Sequence, residues 1–120
     1  MAETKRKILL VDDEPAILKI LSIKLKISGY AVVTAPGGQE AIEAFKSDPP
    51  DLMVLDVIMP GMDGFEVLEK VRSFSALPVI VYSAKNENSE KAFELGANEF
   101  LTKPFNIEEM MNKVRVLTAR

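Results

Sequence analysis

Apolar and polar positions along this chain fall into two alternating patterns. The first is a short continuous apolar run of strand length, seen at Lys7-Ile8-Leu9-Leu10-Val11, Tyr30-Ala31-Val32-Val33-Thr34, Leu52-Met53-Val54-Leu55 and Pro78-Val79-Ile80-Val81-Tyr82, and more weakly at Glu99-Phe100-Leu101-Thr102. The second recurs at helical spacing. It predicts helices from Pro15 to Ser28, stopped by Gly29, from Gln39 to Lys46, ended by Ser47-Asp48-Pro49-Pro50, and from Gly64 to Ser73. Ser89 is placed to cap a short helix through Leu95 that Gly96 closes, and Asn106 to cap a last helix carrying Ile107, Met110, Met111, Val114 and Leu117.

Five strand signals alternating with five helix signals require crossover connections. The expected architecture is therefore α/β, with a parallel sheet covered by helices on both faces. Right-handed crossovers bring the carboxyl ends of the strands to one edge, where ligands bind in open α/β sheets. The predicted strands end there in Asp12-Asp13-Glu14, Asp56, Ser83 and Lys103. After Asp56 the chain is broken into a turn by Pro60, Gly61 and Gly64. Taken singly, each residue has a plainer reading: Asp56 or Asp63 as a cap, Ser83 as a turn residue, Lys103 as a surface lysine. Their conjunction at one edge is the informative feature.

Composition narrows the chemistry. A length of 120 residues with 48% hydrophobic content suits one domain with one filled core, and residues 1–120 are read as a single domain without repeats or linkers. With no cysteine and no histidine, disulfides, thiolate sites, imidazole ligands and histidine acid or base catalysis are excluded. Any metal must be held by oxygen, which suits a hard cation such as Mg²⁺ or Mn²⁺. A net charge of −3 argues against nucleic-acid binding by this domain. No apolar stretch reaches membrane-spanning length and Met1 to Lys7 shows no signal core, so the cytoplasm is the expected compartment.

Asp12, Asp13 and Asp56 would set up to three carboxylates side by side, an arrangement relieved by a divalent cation. Lys103 and the Ser83 hydroxyl would add a cation and a donor. That set suits phosphoryl transfer, where the equatorial oxygens need such partners, and a carboxylate can be the nucleophile to form an acyl phosphate. Asp56, the central acid, is the candidate.

These residues resemble the receiver domain of bacterial two-component response regulators, the family that includes the chemotaxis regulators. The resemblance runs from Ile8 to the last helix. It rests on Leu10-Val11-Asp12-Asp13-Glu14, on Val54 to Gly64, on Tyr82-Ser83-Ala84 and on Gly96 to Phe105. It implies a flavodoxin-like, doubly wound sheet of order 2-1-3-4-5 with five helices. It also implies that Asp56 is the phosphoacceptor, served by a sensor histidine kinase, a phosphotransfer protein or a small acyl phosphate, and that catalysis is limited to the domain's own phosphorylation and dephosphorylation. By the same resemblance Mg²⁺ is held by Asp13, Asp56 and the Ile58 carbonyl, with Asp12 acting through water. Lys103 pairs with the phosphoryl group, and Ser83 with Phe100 forms a switch whose output is a downstream protein or a fused domain, in a monomer or a phosphorylation-dependent dimer.

Three positions depart from the family pattern. Ser83 stands where Thr is common and Phe100 where Tyr is common, and the Ser83-to-Gly96 segment is about two residues short, which predicts a short or late fourth helix. A different class, a small Mg²⁺-dependent phosphatase or phosphotransferase, could use the same acid, hydroxyl and lysine set. It is disfavoured because so short a chain shows no cap segment or substrate pocket.

The first helix carries a second signal. At roughly 100° per residue, Ile17, Leu18, Leu21 and Leu25 share one side, the expected core face. Ala16, Ile20, Ile23 and Ile27 form another stripe, flanked by Lys24 and separated across the back by Lys19, Ser22 and Lys26. A helix lying on a sheet buries one stripe, so the second is expected near solvent as a kinase-docking surface.

Overall fold

In the computed structural model, residues 5–119 are described. Met1 to Thr4, which belong to the stretch read above as lacking a signal core, lie outside the described residues, as does Arg120. The elements alternate strictly: β1 (Lys7–Val11), α1 (Pro15–Ile27), β2 (Ala31–Ala35), α2 (Gly38–Ser47), β3 (Leu52–Asp56), α3 (Gly64–Arg72), β4 (Val79–Ser83), α4 (Asn88–Glu94), β5 (Glu99–Thr102) and α5 (Ile107–Thr118). All four strand pairings are parallel and the order is β2-β1-β3-β4-β5. This is the doubly wound architecture expected, with β3 in the middle.

Side chains alternate across a strand, and in a parallel sheet covered on both sides both sets must be apolar. The core divides accordingly. Leu9, Val11, Met53, Leu55, Val79 and Val81 pack with α2, α3 and Ala92 of α4. Ile8, Leu10, Leu52, Val54, Ile80, Tyr82 and Leu101 pack with α1 and α5 through Leu21, Leu25, Met110, Met111 and Val114. β3 and β4 are buried throughout, whereas the edge strands β2 and β5 are only partly so.

Caps and stops follow local chemistry. Asp63 accepts a hydrogen bond from the Glu66 N–H at 3.0 Å and Asn106 from the Glu108 N–H at 2.7 Å, so both are N-caps. Gly29 and Gly96, past the ends of α1 and α4, take φ of 100° and 103°, where a side chain would be strained. At Gly64 the constraint is space: a Cβ would stand 2.2 Å from the Asp56 carbonyl oxygen and 2.7 Å from the Val57 Cα. That contact lets α3 start directly beneath the end of β3.

Two local expectations need correction. Ser89 does not cap α4: the helix begins at Asn88, with Glu87 in the cap position, two residues before Ser89, and no side-chain cap. The cause is an earlier turn, in which the Asn88 and Ser89 N–H groups bond the Lys85 and Asn86 carbonyls. Ser22 is also misplaced on the back of α1, because it is buried together with Leu21 and Leu25, a small side chain at the margin of the core face. α4 spans 7 residues, short as expected.

Candidate functional site

Register brings the acids together. Val11 pairs with Leu55 and Asp56 pairs with Tyr82, so Asp12, Asp56 and Tyr82 occupy one row across β1, β3 and β4. The even-numbered residues before them, Leu10, Val54 and Ile80, lie on the α1/α5 face, so alternation points all three to that side of the carboxyl edge. Sheet hydrogen bonding continues past the strand ends and fixes the backbone there. The Asp12 N–H donates to the Ala35 carbonyl at 3.2 Å, Val57 to Tyr82 at 3.1 Å and Lys103 to Ser83 at 2.8 Å.

One carboxylate oxygen from each of Asp12, Asp13 and Asp56 lies within 4.8 Å of the others, with Asp12 and Asp56 buried and Asp13 exposed. Lys103 Nζ stands 3.6 Å from Asp56 Oδ2 and 3.7 Å from Asp12 Oδ2. The Lys103–Pro104 peptide bond is cis. The acids open into a cavity of about 270 Å³ that is also lined by Glu14, Ile58, Ala84 and Lys103. An all-oxygen donor set with excess negative charge fits a hard divalent cation.

At Asp56, burial and like charge outweigh the attraction of the lysine. Burial, then the negative charge of Asp12 and, least, of Asp13, push its carboxyl group up to about 6, against the Lys103 ammonium and a backbone hydrogen bond from Ile58. At neutral pH it is still mostly carboxylate. Asp12 is held differently: Oδ1 accepts from the Glu14 N–H at 2.8 Å, and Oδ2 accepts from the Tyr82 hydroxyl. Burial and then that bond push the Tyr82 phenol well above its usual value, so it remains a donor. Among the described residues, no buried side-chain nitrogen or oxygen lacks a partner.

Ser83 is brought to the edge, but its hydroxyl is not turned into the acidic cavity. Fully buried, Oγ accepts from the Lys85 N–H at 3.1 Å and from the Asn88 amide at 2.9 Å, while Ala84 lines the cavity beside it. Phe100 is half-buried against the α2/α3 core cluster. Sequence reasoning quoted Tyr82 within a motif but gave no role to it or to Asn88. A polar-tipped aromatic closing an otherwise aliphatic buried strand was the available signal for the first.

The second stripe of α1 is exposed: Ala16 is open, and Ile20, Ile23 and Ile27 are 52%, 50% and 78% accessible. Neither the loops nor α5 cover them. Ile20, with Ile17, Leu21, Ala84, Lys103, Pro104, Phe105 and Ile107, lines an apolar cavity of about 450 Å³ that shares Ala84 and Lys103 with the acidic one. Lys24, flanking the stripe, pairs with Glu108 of α5 at 3.3 Å. No helix among the described residues is long and apolar enough to cross a membrane.

Comparison with known proteins agrees with this geometry. The family model described as the response regulator receiver domain matches residues 8–115. The transcriptional regulatory protein KdpE of Mycobacterium tuberculosis is 41% identical over 115 residues, covering 94% of this chain and 51% of that protein. The chain spans about half the length of the curated relatives it matches. Among solved structures, the receiver domain of a Francisella response regulator superposes with a TM-score of 0.90 at 32% identity, covering 95% of this chain and 97% of that one. The response regulator TrrA of Thermotoga maritima, in complex with Mg²⁺-BeF, gives 0.86 at 36% identity, covering 93% and 98%. The small-molecule phosphatase finds no support among these relatives. A family match over nearly the whole chain, on a doubly wound sheet with its acids and lysine at one edge, makes this chain a member of the response regulator receiver domain family, a signalling domain of two-component systems.

Proposed function

We propose that Asp56 accepts a phosphoryl group from the phosphohistidine of a sensor histidine kinase or phosphotransfer protein, or from a small acyl phosphate. The observation that carries this is the grouping of three carboxylates, two of them paired with a lysine, Lys103, whose Nζ stands 3.6 Å from Asp56 Oδ2 and 3.7 Å from Asp12 Oδ2. An Asp56 carboxylate oxygen forms the new bond to phosphorus as the phosphorus–nitrogen bond to imidazole breaks, and the departing imidazole keeps the electron pair and takes a proton. Asp12, Asp13, Asp56 and the Ile58 carbonyl would hold Mg²⁺, which when bound neutralises charge on the carboxylates and the transferring oxygens. Lys103 supplies a further positive charge to those oxygens and, by pairing with Asp12 and Asp56, eases their repulsion in the resting state. Promotion of its own phosphorylation and hydrolysis is the domain's whole catalysis.

The output is a change of shape. Ser83 gives up its contacts to Lys85 and Asn88 for a phosphoryl oxygen, and Phe100 turns inward, altering the surface of α4, β5 and α5 that meets a downstream protein, a fused output domain or a second copy. The stripe of Ala16, Ile20, Ile23 and Ile27 meets the kinase. Residues 1–120 act as one module in the cytoplasm and do not bind nucleic acid themselves. With acetyl phosphate and Mg²⁺, intact mass should show one hydroxylamine-labile phosphate per chain. Equal labelling of Asp56→Asn, or labelling unchanged in EDTA, would overturn the assignment.

A further inference from the structure

Asp12 is the least solvent-exposed of the three acids, and a buried carboxylate at the strand end must be held in place from within the fold. β1 and β4 are not neighbours: β3 lies between them. Strands lie about 4.8 Å apart, so a side chain of β4 that touches Asp12 has to cross the whole width of β3. Tyr82 is long enough. Its hydroxyl donates to Asp12 Oδ2, and its ring, 1% exposed, passes on the α1/α5 side of the row that contains Asp56.

The same ring meets two further groups. Phe105 packs against it edge to face with centroids 5.5 Å apart, which limits the directions the hydroxyl can point. Lys103 Nζ lies 4.9 Å from the ring centroid, within the range where an ammonium is attracted to an aromatic face. The Lys103 ammonium is therefore bounded by two carboxylates and a ring face. An aliphatic residue at position 82 could fill the core equally well, but it would offer neither the donor nor the π face.

We propose that Tyr82 is a positioning residue of the phosphorylation site, acting through Asp12 and Lys103: its hydroxyl orients the Asp12 carboxylate for the divalent cation, and its ring seats the ammonium. The proposal rests on the receiver reading above and concerns how this chain tunes that site. Residues that orient metal-site carboxylates typically cost 10- to 100-fold in affinity when changed.

Tyr82→Phe deletes one oxygen and keeps the ring. In Mg²⁺ titrations of the intact chain without any phosphodonor, followed by amide shifts of Asp13 and Val57, the dissociation constant should rise about tenfold. Beryllofluoride, added at saturating Mg²⁺, should still bind within about twofold of the parent, since the ammonium keeps its seat. Tyr82→Leu should weaken beryllofluoride binding as well. In an Asp12→Ala background, Tyr82→Phe should change Mg²⁺ affinity less than about twofold, because the carboxylate through which it acts is gone. A drop in the unfolding midpoint of Tyr82→Phe with Mg²⁺ affinity unchanged would make the tyrosine a core residue only and overturn the proposal. So would equal losses in both backgrounds. If the parent itself binds no Mg²⁺, the proposed Mg²⁺-dependent phosphorylation of Asp56 fails instead.

Discussion

The two sides of the carboxyl edge are built in different ways. On the side of β1 and β3, Asp12 and Asp56 are buried, and each is held by several partners: sheet hydrogen bonds, the Lys103 ammonium and, for Asp12, a phenol and a backbone N–H. On the side of β4 and α4, the connection leans on single side-chain bonds. Ser83 Oγ holds Lys85 and Asn88, Thr102 Oγ1 reaches Asn86 at 3.0 Å, and α4 buries only Ala92. Local opening is easiest where buried apolar contacts are few. The acid side is thus the fixed part of the site and the α4 side the part free to rearrange, which is the division a phosphorylation switch needs.

Substitution on the fixed side should damage the chemistry itself, and beyond the nucleophile Asp56 the largest effect is expected at Lys103. Lys103→Met keeps the stem and deletes the charge that faces Asp56. Loss of one such electrostatic contact to a transferring group costs roughly 100-fold or more. The rate of labelling by acetyl phosphate, read by intact mass at fixed Mg²⁺, should fall by at least about that factor. A rate within tenfold of the parent would remove Lys103 from the transfer step.

The fixed side also carries a cost that pH can expose. A carboxyl group whose folded-state pKa lies above its unfolded value costs nothing below about pH 3, where both states hold the proton. As pH rises the unfolded chain releases its proton first, and the cost is complete above the folded value of about 6, raised from 3.8. That shift, in which the Lys103 attraction is already counted, corresponds to at most ~3 kcal/mol. In EDTA, Asp56→Asn should therefore be more stable than the parent by about 2 kcal/mol near pH 7.5 and equal to it at about pH 3, below the unfolded value of 3.8. Urea unfolding at the two pH values checks this, and a difference that does not change with pH refutes it.

Kinase docking sharpens the comparison, because the exposed stripe of α1 stands on the fixed side. Ile20→Lys and Ile23→Lys should leave labelling by acetyl phosphate at the parent rate. Transfer from the cognate kinase should fall at least tenfold, about 1.4 kcal/mol. Both isoleucines are half exposed, so the substitutions should cost little stability. Parent-like transfer in both variants would send docking elsewhere.

How much of this was legible beforehand follows the same division. The ends of β1 and β3 were readable because continuous apolar runs stop at acids, and parallel crossovers then force those ends together. Asp63 and Asn106 were readable as caps because their role is local. Strand order was not readable from alternation, which says that the sheet is parallel but not which strands are neighbours; it came from resemblance. Tyr82 was hidden for a related reason. Periodicity tells which face a side chain takes, whereas its bond to Asp12 depends on β4 lying two places from β1. The Ser83 hydroxyl was expected beside the acids, yet a serine ending a strand is claimed by the first free N–H of its own turn, here Lys85, and by the Asn88 amide.

The smallest effect is the most direct test of the loose side. Asn88 is the first residue of α4, and its amide donates to Ser83 Oγ, so one bond ties the start of the helix to the end of β4. With 7 residues, no side-chain cap and one buried side chain, α4 has, besides the Asn88 and Ser89 backbone bonds to Lys85 and Asn86, little else to hold its first turn. Asn88→Ala deletes the tie without touching the acidic cavity. A neutral hydrogen bond of this kind contributes about 1 kcal/mol, so amide hydrogen exchange in the first turn of α4 should quicken about fivefold. Labelling of Asp56 should stay within about twofold of the parent, because Asp12, Asp56 and Lys103 keep every partner they have. Freed from Asn88, the Ser83 hydroxyl should also turn toward a bound beryllofluoride more readily, so the amide shifts from Lys85 to Phe105 should saturate at a lower concentration than in the parent. Ser83→Ala loosens the same turn but has no hydroxyl to offer, so it should show the faster exchange without those shifts. If Asn88→Ala slows labelling as strongly as Lys103→Met, the two sides of the edge are one rigid unit and the division drawn between them is wrong.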